Sequence, residues 1–416
     1  MSGHAADKIE LGKPQFASHS WLEPIVNLQI VVSIMISSLI INRHRALKIL
    51  SKNQHPTIKV SEPEDVEASP TSSQGQISEK NPPKRRVYGF LAINTPNSSR
   101  FARHLHSRVL QKFPFLVEMF YWILNYLFYS CTKVISQHLS PAGRDVVQLA
   151  QDHAIGILDF EHHAGFNFVF PIEESDFQAF FLNGHPHWMT FFNRIYSLVH
   201  IPGTVLFISW YYWAAPDFEK FAVVRRTMTL GNFIAFLVFC FFPCMPPRLL
   251  PESFNFHDTV RQEHAESVWV GGKMVNQLAA MPSLHFTYAF VIGATLIYHS
   301  GLGVNCLSRK RTTGSLLTTT LFFVLGIVYP LLVLSVIVAT ANHYWLDAVA
   351  AMISVAFSFY INRIWFILLP LEDLFLWVLR LEKPVPTTGM RHFGAARQAR
   401  SDHADEELEG LLNRSM

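Results

Sequence analysis

The strongest constraint on this chain is the run 316–341, LLTTTLFFVLGIVYPLLVLSVIVATA, which carries no charged side chain over more than the thickness of a bilayer. Comparable apolar runs lie at roughly 24–42, 115–135, 195–215, 227–245, 281–300 and 345–369. Backbone amides and carbonyls in lipid must be satisfied within the segment, so runs of this length read as helices. The expected fold is all-α: a polytopic membrane bundle of six core spans preceded by one N-terminal span. Composition agrees. Charged residues make up 16% of the 416-residue chain, against about 25% in soluble domains. Phe supplies 35 residues, and Trp and Tyr add 9 and 12 to stock the interfacial belts. A formal net charge of +3 is too small to suggest nucleic-acid binding.

The positive charges are distributed unevenly. Arg43, Arg45, Lys48 and Lys52 follow the first span. Lys220, Arg225 and Arg226 mark the loop 216–226, Arg309, Lys310 and Arg311 the loop 301–315, and Arg391, Arg397 and Arg400 the tail. Seven crossings put all four clusters on one side, the cytoplasmic side by the positive-inside rule. Four regions result: an N-terminal tail and first span, 1–50; a basic linker, 51–110, whose Pro-, Ser-, Glu- and Lys-rich stretch 51–86 reads as disordered; a membrane domain, 111–382; and a flexible tail, 383–416. The segment 142–185, with DHAIGILDFEHHAGFNF, carries too many charges to cross lipid and reads as interfacial. The four cysteines, Cys131, Cys240, Cys244 and Cys306, form neither a zinc knuckle nor a disulfide framework, and no metal or cofactor is expected.

The opposite side receives three unusual polar stretches: FPCMPPRLLP (242–251), NQLAAMPSLHF (276–286) and ATANHYWLDAVAA (339–351). In the third, His343 and Asp347 are four apart and share a face if helical. A carboxylate on one ring nitrogen leaves the other free as a nucleophile. In the second, Pro282 suits the first turn of a helix, so the amides of Ser283 and Leu284 read as free donors for an anion. Ser283 adds a hydroxyl there, and His285, one turn in, is placed to give a proton to a departing oxygen. The first stretch offers Arg248, whose planar fork suits phosphate. The competing readings are an ordinary ion pair, a helix cap over a buried histidine, and a snorkelling arginine. Taken together, the stretches supply a nucleophile, its orienting group, an acid, a cation and an anion nest. Phosphoryl transfer needs that set.

At these residues the sequence resembles the type-2 phosphatidic acid phosphatase superfamily, and within it the branch that holds fungal inositolphosphorylceramide synthases and their bacterial relatives. AAMPSLH at 279–285 and NHYWLD at 342–347 are similar to that branch's second and third motifs, and PPRL at 246–249 to a degenerate first motif. IYSLVHIP at 195–202, with Tyr196 and His200, and DFEHHAGF at 159–166 look like the branch as well. The resemblance covers about 145–370. It implies a metal-independent enzyme in which His343 attacks phosphorus, Asp347 orients it, His285 protonates the leaving group, and Arg248 and Ser283 bind phosphate. Asn342, Tyr196 and His200 are further site candidates. The simple phosphatases' Lys and Arg are replaced here by Phe241 and Ile337, a loss shared by the synthase branch. The implied partners are the membrane and a lipid or lipid-phosphate substrate. The implied setting is an endomembrane (Golgi or ER) or the plasma membrane, with the catalytic face lumenal or exterior. Transfer of a phospho-headgroup between lipids, hydrolysis of a lipid phosphate or prenyl diphosphate, and a non-catalytic scaffold are the three functions compatible with the pattern.

Overall fold

The computed structural model describes residues 22–44, 81–87, 91–139, 146–162, 168–259, 277–301 and 316–385, together with Leu47 and Ile49. The fold is predominantly helical. Its helices are α1 (Leu22–Ile41), α2 (Leu105–Lys112), α3 (Phe115–Leu139), α4 (Val146–His162), α5 (Glu174–Gly184), α6 (Pro186–Arg194), α7 (His200–Ala214), α8 (Phe218–Phe241), α9 (Leu284–Ser300), α10 (Leu316–Ala339), α11 (Trp345–Tyr360) and α12 (Leu369–Val378). The contacts divide into two units: residues 1–42 with 117–363, and residues 43–116 with 364–416.

In the first unit, helices α8, α9, α10 and α11 pack together, and α1 lies on α7. The α9–α10 contact is set by two glycines. A Cβ on Gly293 would overlap Pro330 and the Gly326 carbonyl, and one on Gly326 would come within 2.8 Å of the Gly293 carbonyl. Bare backbone lets the two helices approach closely, the way small residues drive helix association in lipid. Among the described residues, α8 and α10 are each long and apolar enough to cross a membrane unaided. The other apolar runs coincide with α1, α3, α7, α9 and α11, of which α7, α9 and α11 are 15, 17 and 16 residues long.

The expected loop 216–226 is mostly helix. Asp217 caps α8 by accepting from the Lys220 amide at 2.8 Å, so the helix starts at Phe218. Arg225 is therefore buried, and pairs with Glu118 of α3 at 2.8 Å. That pairing also accounts for an acidic residue inside an otherwise apolar run: the two charges satisfy each other.

In the second unit, the expected linker 51–110 is ordered in its described part. Lys84–Val87 (β1) and Leu91–Asn94 (β2) form an antiparallel hairpin, and Ser98–Phe101 is a 3-10 turn. Arg85 bonds to Asp373, and buried Lys383 bonds to Asp373 at 2.9 Å and Glu372 at 3.0 Å. Arg85, inside the stretch 51–86 that reads as disordered by composition, thus finds an acidic partner 288 positions away, which local composition does not reveal. Of the stretch 51–86 expected to be disordered, residues 51–80 lie outside the described residues, as do the tail beyond 385 and Cys306, while Lys84–Arg86 belong to β1.

Candidate active site

The site forms where three loops meet at one end of the bundle. Cys244 and Ala279 make a parallel bridge, with the Cys244 amide on the Leu278 carbonyl at 2.9 Å and the Ala280 amide on the Cys244 carbonyl at 3.2 Å. This clip holds the stretch 242–251 beside 277–283. The third loop leaves α10 through Ala341, whose φ of 50° is left-handed. The Asn342 amide folds back to the Ile337 carbonyl at 3.0 Å, closing the helix as a C-terminal cap does. A left-handed alanine costs on the order of 1 kcal/mol, and full burial holds it there. The turn fixes the direction in which Asn342 and His343 leave the helix.

His343 lies just before α11, not within it. Tyr344 is the N-cap, and Asp347 returns its carboxylate to the Tyr344 amide at 3.0 Å. The same oxygen, Oδ2, is 3.1 Å from His343 Nδ1, and the Ala280 carbonyl is nearer at 2.8 Å. A carbonyl only accepts, so Nδ1 carries the proton and donates to both oxygens. Nε2 then holds the lone pair. Burial pushes the His343 imidazole down to about 4; the bond to Ala280 opposes that shift and the charge of Arg248 adds to it. The neutral, nucleophilic form is thus the ground state at neutral pH.

His285 occupies the first turn of α9. Tyr196 stacks on it at 4.6 Å between ring centroids, His200 lies tilted against it at 4.6 Å, and the His343 ring is 5.7 Å away. Tyr196 and His200 reach His285 from a π-helical turn, Ile195–Val199, and the start of α7 that follows it. Such turns are rare and are common at functional sites. His343, His285, Arg248, Asn342 and Tyr196 all line one cavity of about 130 Å³, whose other walls include Tyr129, Phe239 and Leu284. At about 30 Å³ per water it has room for about four waters, enough for a phosphoryl group with part of its ester.

The predicted residues divide by position. Asp347 stands behind His343 and His200 behind His285, as supports rather than cavity wall. Ser283 stands outside the cavity wall. Helix α9 begins at Leu284, so Pro282 lies outside it and Ser283 is the N-cap. The Ser283 amide donates to the Asp347 carbonyl at 3.3 Å, and its hydroxyl oxygen accepts from the Phe286 amide at 3.2 Å. Of the two amides expected to be free, that of Ser283 is thus committed to joining α9 to α11, while the Ser283 O–H is still a donor. Arg248 lines the cavity with its Nε donating to Asn342 at 2.9 Å and its Nη1 to Asp258 at 3.1 Å. Asp258 and the Ala280 carbonyl are site groups that motif reading missed. An aspartate ten positions past an arginine gives no sign that the chain folds back, and a backbone oxygen has no sequence signature. One grouping among the described residues, Glu161, His162 and Glu174, has ligand atoms within 4.8 Å of one another, close enough to hold a metal ion.

Comparison with known families adds an independent line. A sequence model of the PAP2 superfamily matches residues 156–308 and 312–361, just under half of the chain. The matched region contains every cavity residue named above except Tyr129, and includes Asp347 and His200. The match supports placing the chain in that superfamily, whose members are generally phosphatases and phosphotransferases. With the apolar helices, it supports a membrane protein that acts on lipid phosphates. No curated protein and no solved structure gave a significant match.

Proposed function

We propose that the protein is a multi-pass membrane phosphotransferase that moves a phospho-headgroup between lipids through a phosphohistidine on His343, as in the inositolphosphorylceramide synthase-like branch. The observation that carries this reading is the pinning of His343 Nδ1–H by the Ala280 carbonyl and Asp347, which leaves Nε2 unprotonated in the same cavity as Arg248 and His285. In the proposed reaction Nε2 attacks phosphorus, and the P–O bond to the first lipid breaks. His285 donates a proton to the departing oxygen. A second alcohol then attacks the phosphohistidine, its proton passing to His285, and Nε2 recovers its lone pair. Arg248, oriented by its bond to Asn342 Oδ1, meets the phosphoryl oxygens, and Tyr196 and His200 fix the His285 ring. Asp347 offsets the positive charge that builds on the imidazole.

Seven crossings would place this cavity on the lumenal or exterior face, away from the basic clusters, with 111–382 as the membrane domain. The phosphatases' extra cations are replaced here by Phe241 and Ile337, a loss the synthase branch shares, which supports the transfer reading. The test is to incubate the purified protein with a panel of lipid phosphates and phosphoinositol lipids, with and without a ceramide-type acceptor. New phosphoester lipid that depends on the acceptor supports transfer. Free phosphate alone, unaffected by acceptor, would make the protein a phosphatase.

A further inference from the structure

Three buried carboxyl groups converge on the start of α11. Asp347 accepts from the Tyr344 amide at 3.0 Å, Glu174 Oε1 from the Trp345 amide at 3.2 Å, and Glu161 Oε1 from the Leu346 amide at 2.5 Å. These are the orphan donors that every helix N-terminus presents. Here three successive ones are met by side chains from three places, two of them outside the helix. Glu161 sits at the end of α4 and Glu174 at the start of α5, and they are 0% and 1% exposed. Glu174 Oε2 accepts from His162 Nε2 at 2.9 Å, whereas the fully buried Glu161 Oε2 has no conventional donor and is 3.9 Å from that nitrogen.

The groups facing Glu161 are Glu174 from α5, His162 on its own helix, Asp347 and Tyr344 at the start of α11, and Cys244 from the bridged loop. Three carboxylates with one imidazole cannot all be ionised in so small a dry space. Burial raises the Glu161 carboxyl first, and the hydrogen bond and charge of Glu174 raise it further. A protonated Glu161 donates to Glu174 and still offers Oε1 to the helix.

We propose that Glu161, held as the neutral acid, and Glu174 are positioning residues for the phosphoryl-transfer site: they fix the first turn of α11 and thereby the Asp347–His343 pair. The inference rests on His343 as nucleophile. The proton sits on Glu161 Oε2, the buried oxygen that no donor serves, while both Oε1 atoms are committed to the helix; a metal ion held by the two Oε2 atoms and His162 is the opposing outcome of the test.

The test uses the full-length protein in detergent or vesicles, with a lipid phosphate and a nitrophenyl phosphodiester as substrates. Glu161→Gln keeps both the acceptor and a donor, and is expected to retain kcat within about threefold. Glu161→Ala is expected to lower kcat at least about 30-fold with KM nearly unchanged, on both substrates. The wild type loses activity at alkaline pH as Glu161 ionises, and the Gln variant does not. Independently of turnover, infrared difference spectra should show a buried protonated carboxyl in the wild type that vanishes in Glu161→Gln. If the wild type turns over nothing, the functional reading fails while the infrared band still decides the proton. If Glu161→Ala matches wild type, if Glu161→Gln is as poor as Ala, or if elemental analysis finds a stoichiometric metal lost in Glu161→Gln, this proposal is overturned. Where the Ala variant does not fold, the Gln kinetics and the infrared band decide it.

Discussion

Asp347→Asn separates the two duties that a carboxylate beside a histidine can perform. In many sites the carboxylate both selects the tautomer and stabilises the imidazolium, and the amide substitution destroys both, at about 10⁴-fold in rate. Here the Ala280 carbonyl, 2.8 Å from Nδ1, selects the tautomer without help. The oxygen of the substituted side-chain amide also still serves the Tyr344 N–H. What is lost is the negative charge 3.1 Å from Nδ1. At an effective dielectric near 20 a full charge pair at that distance is about 5 kcal/mol. The amide dipole retains part of it, so a loss of about 3 kcal/mol is expected, or on the order of 100-fold in the rate of phosphoenzyme formation. The assay is single-turnover quenched flow with a nitrophenyl substrate, with KM followed in parallel and expected to hold within about threefold. A loss approaching 10⁴ would mean that Ala280 does not hold the tautomer. A rate within a few-fold of wild type would mean that no charge develops on His343, and the reasoning fails.

Other outcomes follow from the same geometry. The imidazole of His343 is held down to about 4, so its neutral form persists as pH falls through the usual histidine range near 6.5 and is lost only as pH approaches 4. The pH–rate profile on an activated ester should therefore show its acid limb near 4, and a limb near 6.5 would contradict the buried setting; for the same group, folding stability present above 6.5 should decline between 6.5 and 4. His285→Ala should slow phosphoenzyme formation from a lipid substrate by 100-fold or more, within the ~10²–10⁴ range for a general acid, yet barely affect single-turnover phosphoenzyme formation from a nitrophenyl ester, and equal losses in that step on both would remove its role as acid. Gly293→Ala should lower the thermal midpoint in detergent, with a destabilisation of about 1–3 kcal/mol from the overlap with Pro330 and Gly326; an unchanged midpoint would show that the α9–α10 contact is loose.

Much of this arrangement was legible because it is written locally. Apolar run lengths located the helices to within a few residues at α1, α3, α9 and α10. PSLH and NHYWLD singled out His285, His343 and Asp347, which do come together. The misses share a cause. Ser283 reads as an anion donor by its place near a helix start, but its amide is committed to the Asp347 carbonyl and the residue is not part of the cavity wall. Asp258, Glu161 and Glu174 are separated from their partners by 10 to 185 positions and meet them only through folding. The stretch 51–86 reads as disordered by composition, which does not show that Arg85 meets Asp373, 288 positions away. Hydrophobic period and turn chemistry are local signals, whereas pairing of buried charges is not.

The central claim is that His343 Nε2 becomes covalently phosphorylated. The most direct measurement is rapid alkaline quenching of the wild-type protein with a slowly resolved substrate, followed by peptide mass spectrometry under conditions that preserve phosphohistidine. The account predicts phosphate on the peptide holding Asn342–Asp347, assigned to His343, and none in His343→Ala. Phosphate on His285, or full turnover by His343→Ala, would contradict it.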